Sequence, residues 1–96
     1  PHIDNSSNSV CEAMMMGMPI IAPNVGGIPS LIKDNHEGIL VQDGDPYALA
    51  SAIIEMMNNR DLAYKFGMNA RVKACQRHNK EKIMNDLLEI YREIKR

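Results

Sequence analysis

Two carboxylates near the start of the chain, Asp4 and Glu12, flank a stretch of small polar residues. The five positions from 5 to 9 are all asparagine or serine: Asn5, Ser6, Ser7, Asn8 and Ser9. A loop of this composition that runs into a helix offers the free backbone N–H groups of the helix start to an anion. Because two acids beside an anion would repel it, we infer that backbone donors hold a phosphate group. The acids would then contact an uncharged neighbour, such as sugar hydroxyls.

The helix that follows this loop should be short. Gly17 suits a left-handed C-terminal cap, and Pro19 prevents the helix from continuing, so we expect it over about residues 8–16. Ser9 and Glu12 also have the spacing of a capping box, in which the acid stabilises the helix start. A purely structural role for Glu12 therefore stays open at this point.

Two short apolar runs downstream are expected to be strands buried on both faces. They are residues 20–22 and 38–41, with a glycine-rich turn and a short helix over about 30–34 between them. Strand, helix and strand form a parallel βαβ unit. Two strands alone are too few for a stable parallel sheet, so we expect a further strand before Pro1 and a longer polypeptide than these 96 residues.

Helical periodicity dominates the rest of the chain, where we expect three helices, over about 46–57, 61–75 and 80–95. Asp45 supplies an N-cap to the first, and the last carries an apolar residue at i, i+4, i+7 and i+11 from Ile83. The expected fold class is α/β. It is a truncated Rossmann-like parallel sheet layered with helices, followed by a C-terminal helical segment.

Composition excludes several classes of function. The formal net charge is −1, so no basic field favours nucleic acid. Cys11 and Cys75 are too few for a disulfide framework and indicate reduced thiols in the cytoplasm. No apolar run approaches the length of about 18 residues typical of a membrane span. No Cys/His cluster predicts a metal, and no cofactor is expected.

Several blocks of the first 58 residues are similar, in order and spacing, to the C-terminal domain of the retaining glycosyltransferase family 4. That family's signature is a pair of acids with seven residues between them, the second opening Glu-Ala-Met, followed by further glycine-proline blocks. In this chain the blocks are Asp4 with Glu12-Ala-Met, Gly17-Met-Pro, Gly26-Gly-Ile-Pro, Gly38-Ile-Leu-Val and Gly44-Asp-Pro.

The resemblance implies a role for each site residue. Glu12 would bind the ribose hydroxyls of a nucleotide, and Asp4 would lie against the hydroxyls of the donor sugar near the reacting carbon. The stretch 5–9 would bind the diphosphate, chiefly through the backbone N–H groups of Ser6, Ser7 and Asn8. No metal or other cofactor is implied.

The resemblance also implies an activity for the full-length protein. It would move a sugar from a nucleotide-diphospho-sugar to a hydroxyl of a saccharide or other acceptor, with retention of anomeric configuration. Residues 1–96 would be the C-terminal part of the donor-binding domain, with the loop, the βαβ core and the following helix in 1–58 and C-terminal helices in 59–96. An N-terminal domain would complete the site, so the isolated piece should be inactive. An exposed sheet edge could also pair two copies.

Two departures from the family pattern keep other functions open. The family usually has Glu where this chain has Asp4, and an acid where it has Ser30. A non-catalytic nucleotide- or phosphate-binding module is one alternative. A small helical interaction domain is another.

Overall fold

A parallel sheet wrapped by helices forms the body of the protein. The computed structural model describes residues 2–3 and 7–95, and the side chains from Ser9 onward. Within these residues three strands form one sheet, in the order β1-β2-β3, with both pairs parallel. The elements are β1 (His2–Ile3), α1 (Ser7–Met15), β2 (Ile20–Pro23), α2 (Ile28–Leu31), β3 (Gly38–Val41), α3 (Pro46–Asn58) and α4 (Arg60–Ile94). The α/β class is confirmed.

The central strand β2 is covered on both faces, as expected of a parallel sheet. Side chains of a strand alternate between its faces. Ile20 and Ala22 pack with α1, α2 and the middle of α4. Ile21 packs on the other side with Ala52 and Met56 of α3. All five side chains are less than a tenth exposed, so the hydrophobic core lies in two layers around one strand.

Helix α4 contributes to both layers. Phe66 belongs to the α3 side of the sheet, whereas Ala70 and Ala74 belong to the α1 side. Between them Gly67 lies against the turn that precedes β2, and Asn69 donates a hydrogen bond to the carbonyl of His36 just before β3 (2.8 Å). Helix α4 therefore crosses the amino edge of the sheet.

A Schellman motif ends α1, as the sequence predicts. Gly17 has a φ of +74°. Its N–H donates to the carbonyl of Met14 (3.0 Å), and the N–H of Met18 donates to the carbonyl of Ala13 (3.1 Å). These two bonds satisfy carbonyls that the helix end would leave free. The predicted end of α1 is confirmed to within a residue.

Backbone groups on the outer edge of β3 are also hydrogen-bonded within the chain. Gly38 and Leu40 are the residues of β3 whose backbone groups face away from β2. The N–H of Leu40 donates to Asp34 Oδ1 (2.9 Å), and the N–H of Asn35 donates to the carbonyl of Gly38 (2.8 Å). Asn35 adopts a φ of 61° to make this contact. These two bonds leave fewer free backbone groups at the β3 edge for the pairing of two copies, which stays a prediction.

The prediction of two C-terminal helices is wrong. Residues 60–94 form one continuous helix of 35 residues, and the long dimension of the molecule is 58 Å. The expected break near residues 76–79 is absent from the described helix. These four residues include no Gly or Pro, and Gln76 and Arg77, with Lys80 and Glu81 after them, propagate a helix well. Of the helices that the structure describes, none is apolar enough over its length to cross a membrane.

Two smaller predictions also need correction. Helix α2 covers Ile28–Leu31 rather than about 30–34, because Gly27 already has helical backbone angles and Ile32 is extended. Burial of Ile28 at 1% exposure fixes the start of this helix. A strand before Pro1 stays a prediction, whereas His2–Ile3 forms a strand within the chain that the sequence did not predict, and it pairs with Ile20 and Ile21 of β2.

Replacement of Gly67 by alanine tests the approach of α4 to the sheet edge. A Cβ at this position would lie 2.2 Å from the carbonyl oxygen of Gly17. Alanine favours a helix over glycine by about 1 kcal/mol, but we expect Gly67→Ala to lower the free energy of unfolding by about 1–3 kcal/mol through overpacking. Urea denaturation measures the change. Asn85→Ala, at an exposed position of the same helix, should be neutral or stabilising. A stabilising Gly67→Ala would contradict the close contact.

Candidate functional site

The carboxyl edge of the sheet is where the candidate site lies. Since all strands are parallel, the chain leaves β1, β2 and β3 at the same edge, through residues 4–6, 24–27 and 42–45. Ligands of open α/β sheets bind in the crevice outside this edge. The first of these connections leads directly to the start of α1.

The N-terminus of α1 presents the backbone donors that the sequence predicts. Helix α1 begins at Ser7, so the N–H groups of Ser7, Asn8 and Ser9 have no acceptor within the helix. These donors, together with the positive end of the helix dipole, can hold an anion. Two of the three predicted diphosphate donors, Ser7 and Asn8, are thus placed at the helix start.

Part of the predicted site lies outside the described residues. Asp4, Asn5 and Ser6 fall in this part of the chain. Their roles at the donor sugar and the diphosphate therefore stay predictions.

Glu12 lies on the solvent side of α1. Its side chain is exposed, whereas Val10 and Met14 on the opposite side of the helix are fully buried. The capping-box interpretation is wrong, because α1 begins at Ser7 and Ser9 is already its third residue. The carboxylate of Glu12 is therefore accessible to a ligand bound at the start of the same helix.

The connection after β2 is a tight turn held by its own backbone. Gly26 has a φ of +56°, a conformation that glycine adopts without strain, and the space where a Cβ would lie is open. Ser30, where the resemblance leads one to expect an acid, donates its hydroxyl to the carbonyl of Gly27 (2.6 Å). Gly26 therefore allows the chain to turn between β2 and α2, and the Ser30 bond closes that turn.

The connection after β3 sets the start of α3. The side chain of Asp45 accepts a hydrogen bond from the N–H of Ala48 (3.0 Å), and Pro46 occupies the first turn. A shallow polar cleft of about 520 Å³ opens beside this connection, lined by Asn24, Asp34, Leu40, Val41, Gln42 and Asp43. In the described residues, no three His, Cys, Asp or Glu side chains are grouped so that they could hold a metal ion.

Helix α4 packs against the buried side of α1 and holds it in position. Ala70 and Ala74 pack in the same cluster as Val10 and Ala13 of α1. One turn beyond Ala74, the guanidinium of Arg77 lies 3.6 Å from the Sγ of Cys11. The placement of α1, and with it of its N-terminal end, therefore depends on where α4 lies.

A buried carboxylate that the sequence gives no reason to single out fixes α4 to the sheet. Glu37 is 1% exposed, and its Oε1 lies 2.7 Å from the Nζ of Lys73. Its Oε2 lies 2.9 Å from Nδ1 of His36. A buried charge is tolerated when it is paired and hydrogen-bonded in this way. Glu37 lies just before β3 and Lys73 lies on α4, so the pattern of neighbouring residues could not predict this pair.

Comparison with known proteins decides the family. The family model for glycosyl transferases group 1 matches residues 7–73. The chain belongs to this family. The matched part of this group 1 chain includes α1, β2, β3, α3 and the sheet-crossing part of α4. The resemblance inferred from the sequence blocks is confirmed.

Individual relatives agree with this family. The chain is 33% identical over 85 residues to N-acetyl-alpha-D-glucosaminyl L-malate synthase of Bacillus anthracis, an alignment that covers 88% of this chain and 22% of that protein. Sucrose-phosphate synthase from Thermosynechococcus elongatus superposes with a TM-score of 0.79 at 31% identity, over 93% of this chain and 22% of that one. Anabaena HepE, solved in complex with UDP-glucose, gives a TM-score of 0.81 at 24% identity, over 95% and 27%. The group 1 chain thus spans about a quarter or less of these relatives.

Replacement of Lys73 tests the buried pair. Lys73→Met leaves the carboxylate of Glu37 without its ammonium partner. We expect the free energy of unfolding to fall by about 2 kcal/mol. This loss is smaller than for a fully buried pair because Lys73 is partly exposed. The double variant Glu37→Leu/Lys73→Met should recover most of this loss, since two apolar side chains replace the pair. Urea denaturation of the two single variants and the double variant gives the coupling energy. Additive losses would show that the two side chains do not interact.

Proposed function

We propose that the full-length protein transfers a sugar from a nucleotide-diphospho-sugar to a hydroxyl of a saccharide or other acceptor, with retention of anomeric configuration. One observation carries the proposal. The start of α1 lies at the carboxyl edge of the sheet, directly after β1, with the accessible Glu12 on the same helix. Diphosphate and ribose are adjacent in a nucleotide-sugar. The N–H donors at the start of α1 suit the diphosphate, and the carboxylate of Glu12 on the same helix suits the ribose.

The helix start would contribute to the reaction by stabilising the leaving group. As the bond from the sugar to the diphosphate breaks, negative charge grows on the diphosphate. The N–H groups of Ser7, Asn8 and Ser9 and the helix dipole stabilise that charge more in the transition state than in the bound donor. Since these donors are fixed by the backbone, they need no rearrangement during the reaction.

The two acids would bind uncharged groups. A carboxylate accepts hydrogen bonds from hydroxyls, and we assign the ribose hydroxyls to Glu12. Asp4 is assigned to the donor sugar near the reacting carbon, by the resemblance. Asn5 and Ser6 complete the diphosphate loop. A carboxylate oxygen that accepts hydrogen bonds from each set of hydroxyls would orient the nucleotide-sugar without adding a positive charge.

The relatives support the donor class. Three crystal structures of HepE contain UDP, UDP with glucose, or UDP-glucose, and several curated relatives are named as glycosyltransferases or synthases of glycosylated products. In this proposal a further domain of the full-length polypeptide binds the acceptor and completes the site, and residues 1–96 alone are inactive. A cytoplasmic location stays a prediction, as does pairing of copies.

A non-catalytic nucleotide-binding module is the second candidate. It is favoured by Asp4, one methylene shorter than the usual Glu, and by Ser30, whose hydroxyl is bonded within its own turn. Such a module would bind a nucleotide-sugar and leave it intact. Incubation of the full-length protein with labelled donor and acceptor sugars separates the two functions, because only the enzyme releases the nucleotide diphosphate.

Glu12→Ala tests the ribose contact. In the full-length enzyme we expect kcat/KM for the donor to fall by about tenfold or more, since one hydrogen-bonded charged group is lost from the complex. Glu89→Ala removes an equally exposed acid from α4 and should leave kcat/KM within about twofold. Steady-state kinetics with varied donor measure both. A Glu12→Ala enzyme within about twofold of wild type would remove Glu12 from the site.

Ser7→Pro tests the backbone donors. Ser7 is the first residue of α1, where proline is tolerated and removes only an N–H that the helix does not use. We expect kcat/KM to fall by about 10²-fold, because the variant lacks one preorganised N–H that would stabilise the charge developing on the diphosphate. Ser7→Ala keeps the N–H and should stay within about threefold. Thermal unfolding should be nearly unchanged in both variants. Equal activities of the two variants would exclude the Ser7 N–H as a diphosphate donor.

A further inference from the structure

The polar cleft beside the end of β3 lies at the carboxyl edge of the sheet, and none of the residues assigned to the donor lines it. Its volume is about 520 Å³. Ligand pockets in proteins commonly have volumes of about 300–1,000 Å³, so this cleft has room for a small ligand. We call it the β3 cleft. Its lining residues are Asn24, Asp34, Leu40, Val41, Gln42 and Asp43.

Hydrogen bonds to the backbone fix the walls of the β3 cleft. The N–H of Asn24 donates to the carbonyl of Val41 (2.8 Å), which joins the ends of β2 and β3. The N–H of Leu40 donates to Asp34 Oδ1 (2.9 Å), which holds the wall on the outer side of β3. A ligand bound between walls that are already fixed has less ordering entropy to overcome.

The lining of the β3 cleft combines aliphatic carbon with hydrogen-bonding groups. Leu40 and Val41 of β3 are half-buried and supply the aliphatic part. An amide both donates and accepts hydrogen bonds, and a carboxylate accepts them. A sugar presents matching groups, since its ring has C–H faces and its hydroxyls both donate and accept. The side chains that end in an amide or a carboxylate are Asn24, Asp34, Gln42 and Asp43.

The charge of the β3 cleft disfavours a phosphorylated or acidic ligand. Asp34 and Asp43 are acidic, and no Lys, Arg or His is among the described residues that line the cleft. A negative potential of this kind repels anions. The start of α3 is near, but the side chain of Asp45 already accepts a hydrogen bond from the N–H of Ala48 there (3.0 Å). The lining therefore favours an uncharged ligand over an anion.

The β3 cleft lies beside the proposed donor site and not within it. Both open at the carboxyl edge, where ligands of open α/β sheets bind. The donor site follows β1, and β3 is separated from β1 by two strand spacings, roughly 10 Å. A sugar unit in the β3 cleft would therefore lie next to a bound nucleotide-sugar without overlapping the diphosphate at α1. This is a suitable place for part of a second substrate.

We propose that the β3 cleft binds an uncharged sugar unit of the acceptor. Gln42 donates a hydrogen bond to one ring hydroxyl, and Asp43 accepts a hydrogen bond from another. The assignment of this sugar unit to the acceptor rests on the proposed function, whereas the binding of an uncharged sugar does not.

NMR of glutamine side chains in the full-length protein tests the β3 cleft. Residues 1–96 contain two glutamines: Gln42 lies in the cleft, and the exposed Gln76 on α4 is the matched control. With ¹⁵N-labelled glutamine, their side-chain amide signals are assigned by their loss in Gln42→Ala and Gln76→Ala. The methyl glycosides of glucose, galactose, mannose and N-acetylglucosamine are the probes. We expect at least one glycoside to shift the Gln42 signal to saturation at millimolar concentration, and none to move the Gln76 signal.

A charge-reversal variant tests the selectivity of the β3 cleft. We expect glucose 6-phosphate to bind at least about tenfold more weakly than the best glycoside, because Asp34 and Asp43 repel it. Asp43→Lys should raise the affinity for glucose 6-phosphate by about tenfold, since it replaces a repulsive charge by an attractive one. Asp43→Asn removes the charge at constant shape and should give a smaller gain. Equal affinities of wild type and Asp43→Lys for glucose 6-phosphate would overturn the assignment to an uncharged ligand.

Saturation with UDP-glucose separates an acceptor sugar from a donor sugar. We expect the glycoside to shift the Gln42 signal equally with and without UDP-glucose, because the nucleotide-sugar is held at α1. Competition between the two, or a shift of the Gln42 signal by UDP-glucose itself, would assign the β3 cleft to the donor. A shift caused by CaCl₂ and by none of the glycosides would assign its carboxylates to a cation.

Failure of the β3 cleft and failure of the proposed function give different results. A protein that transfers sugar from a nucleotide donor but shows no glycoside shift at Gln42 would overturn the β3 cleft and leave the proposed function in place. A glycoside shift at Gln42 in a protein that transfers no sugar would support the sugar site and contradict the proposed function, and with it the assignment to an acceptor.

Discussion

The contact between the backbone of α4 at Gly67 and the carbonyl of Gly17 is the constraint on which the rest of the structure depends. A side chain at Gly67 would lie within 2.2 Å of that oxygen, so only glycine lets the helix reach the turn. This contact places α4 across the amino edge of the sheet and holds the C-terminal end of α1. The opposite end of α1, with its free N–H groups, is left at the carboxyl edge for a ligand.

Local signals predicted most of the elements, because caps and apolar runs act over a few residues. The cap at Gly17, the N-cap at Asp45 and the strand Gly38–Val41 could all be found from neighbouring residues. The ion pair that fixes α4 to the sheet could not be predicted in this way, because Glu37 and Lys73 lie far apart in the sequence. No local pattern indicates that Gly67, a poor helix former, lies against the turn that precedes β2.

The candidate site could be predicted only in part. A loop of small polar residues before a helix indicates an anion site by elementary arguments, and α1 begins where those arguments place it. The role of Glu12 was ambiguous, because this residue has both the capping-box spacing from Ser9 and the family's spacing from Asp4. The observed start at Ser7 removes the first explanation. No residue pattern in the sequence predicts which acceptor, base or sugar the proposed enzyme would take.

The cover that Asp34 and Asn35 place over β3 has a consequence for how the whole domain is assembled. A parallel sheet grows by adding strands to edges whose backbone groups are free. Because the N–H of Leu40 and the carbonyl of Gly38 are already bonded within their own chain, the β3 edge has fewer free backbone groups to offer a further strand. Extension of the described sheet is therefore restricted on the β3 side.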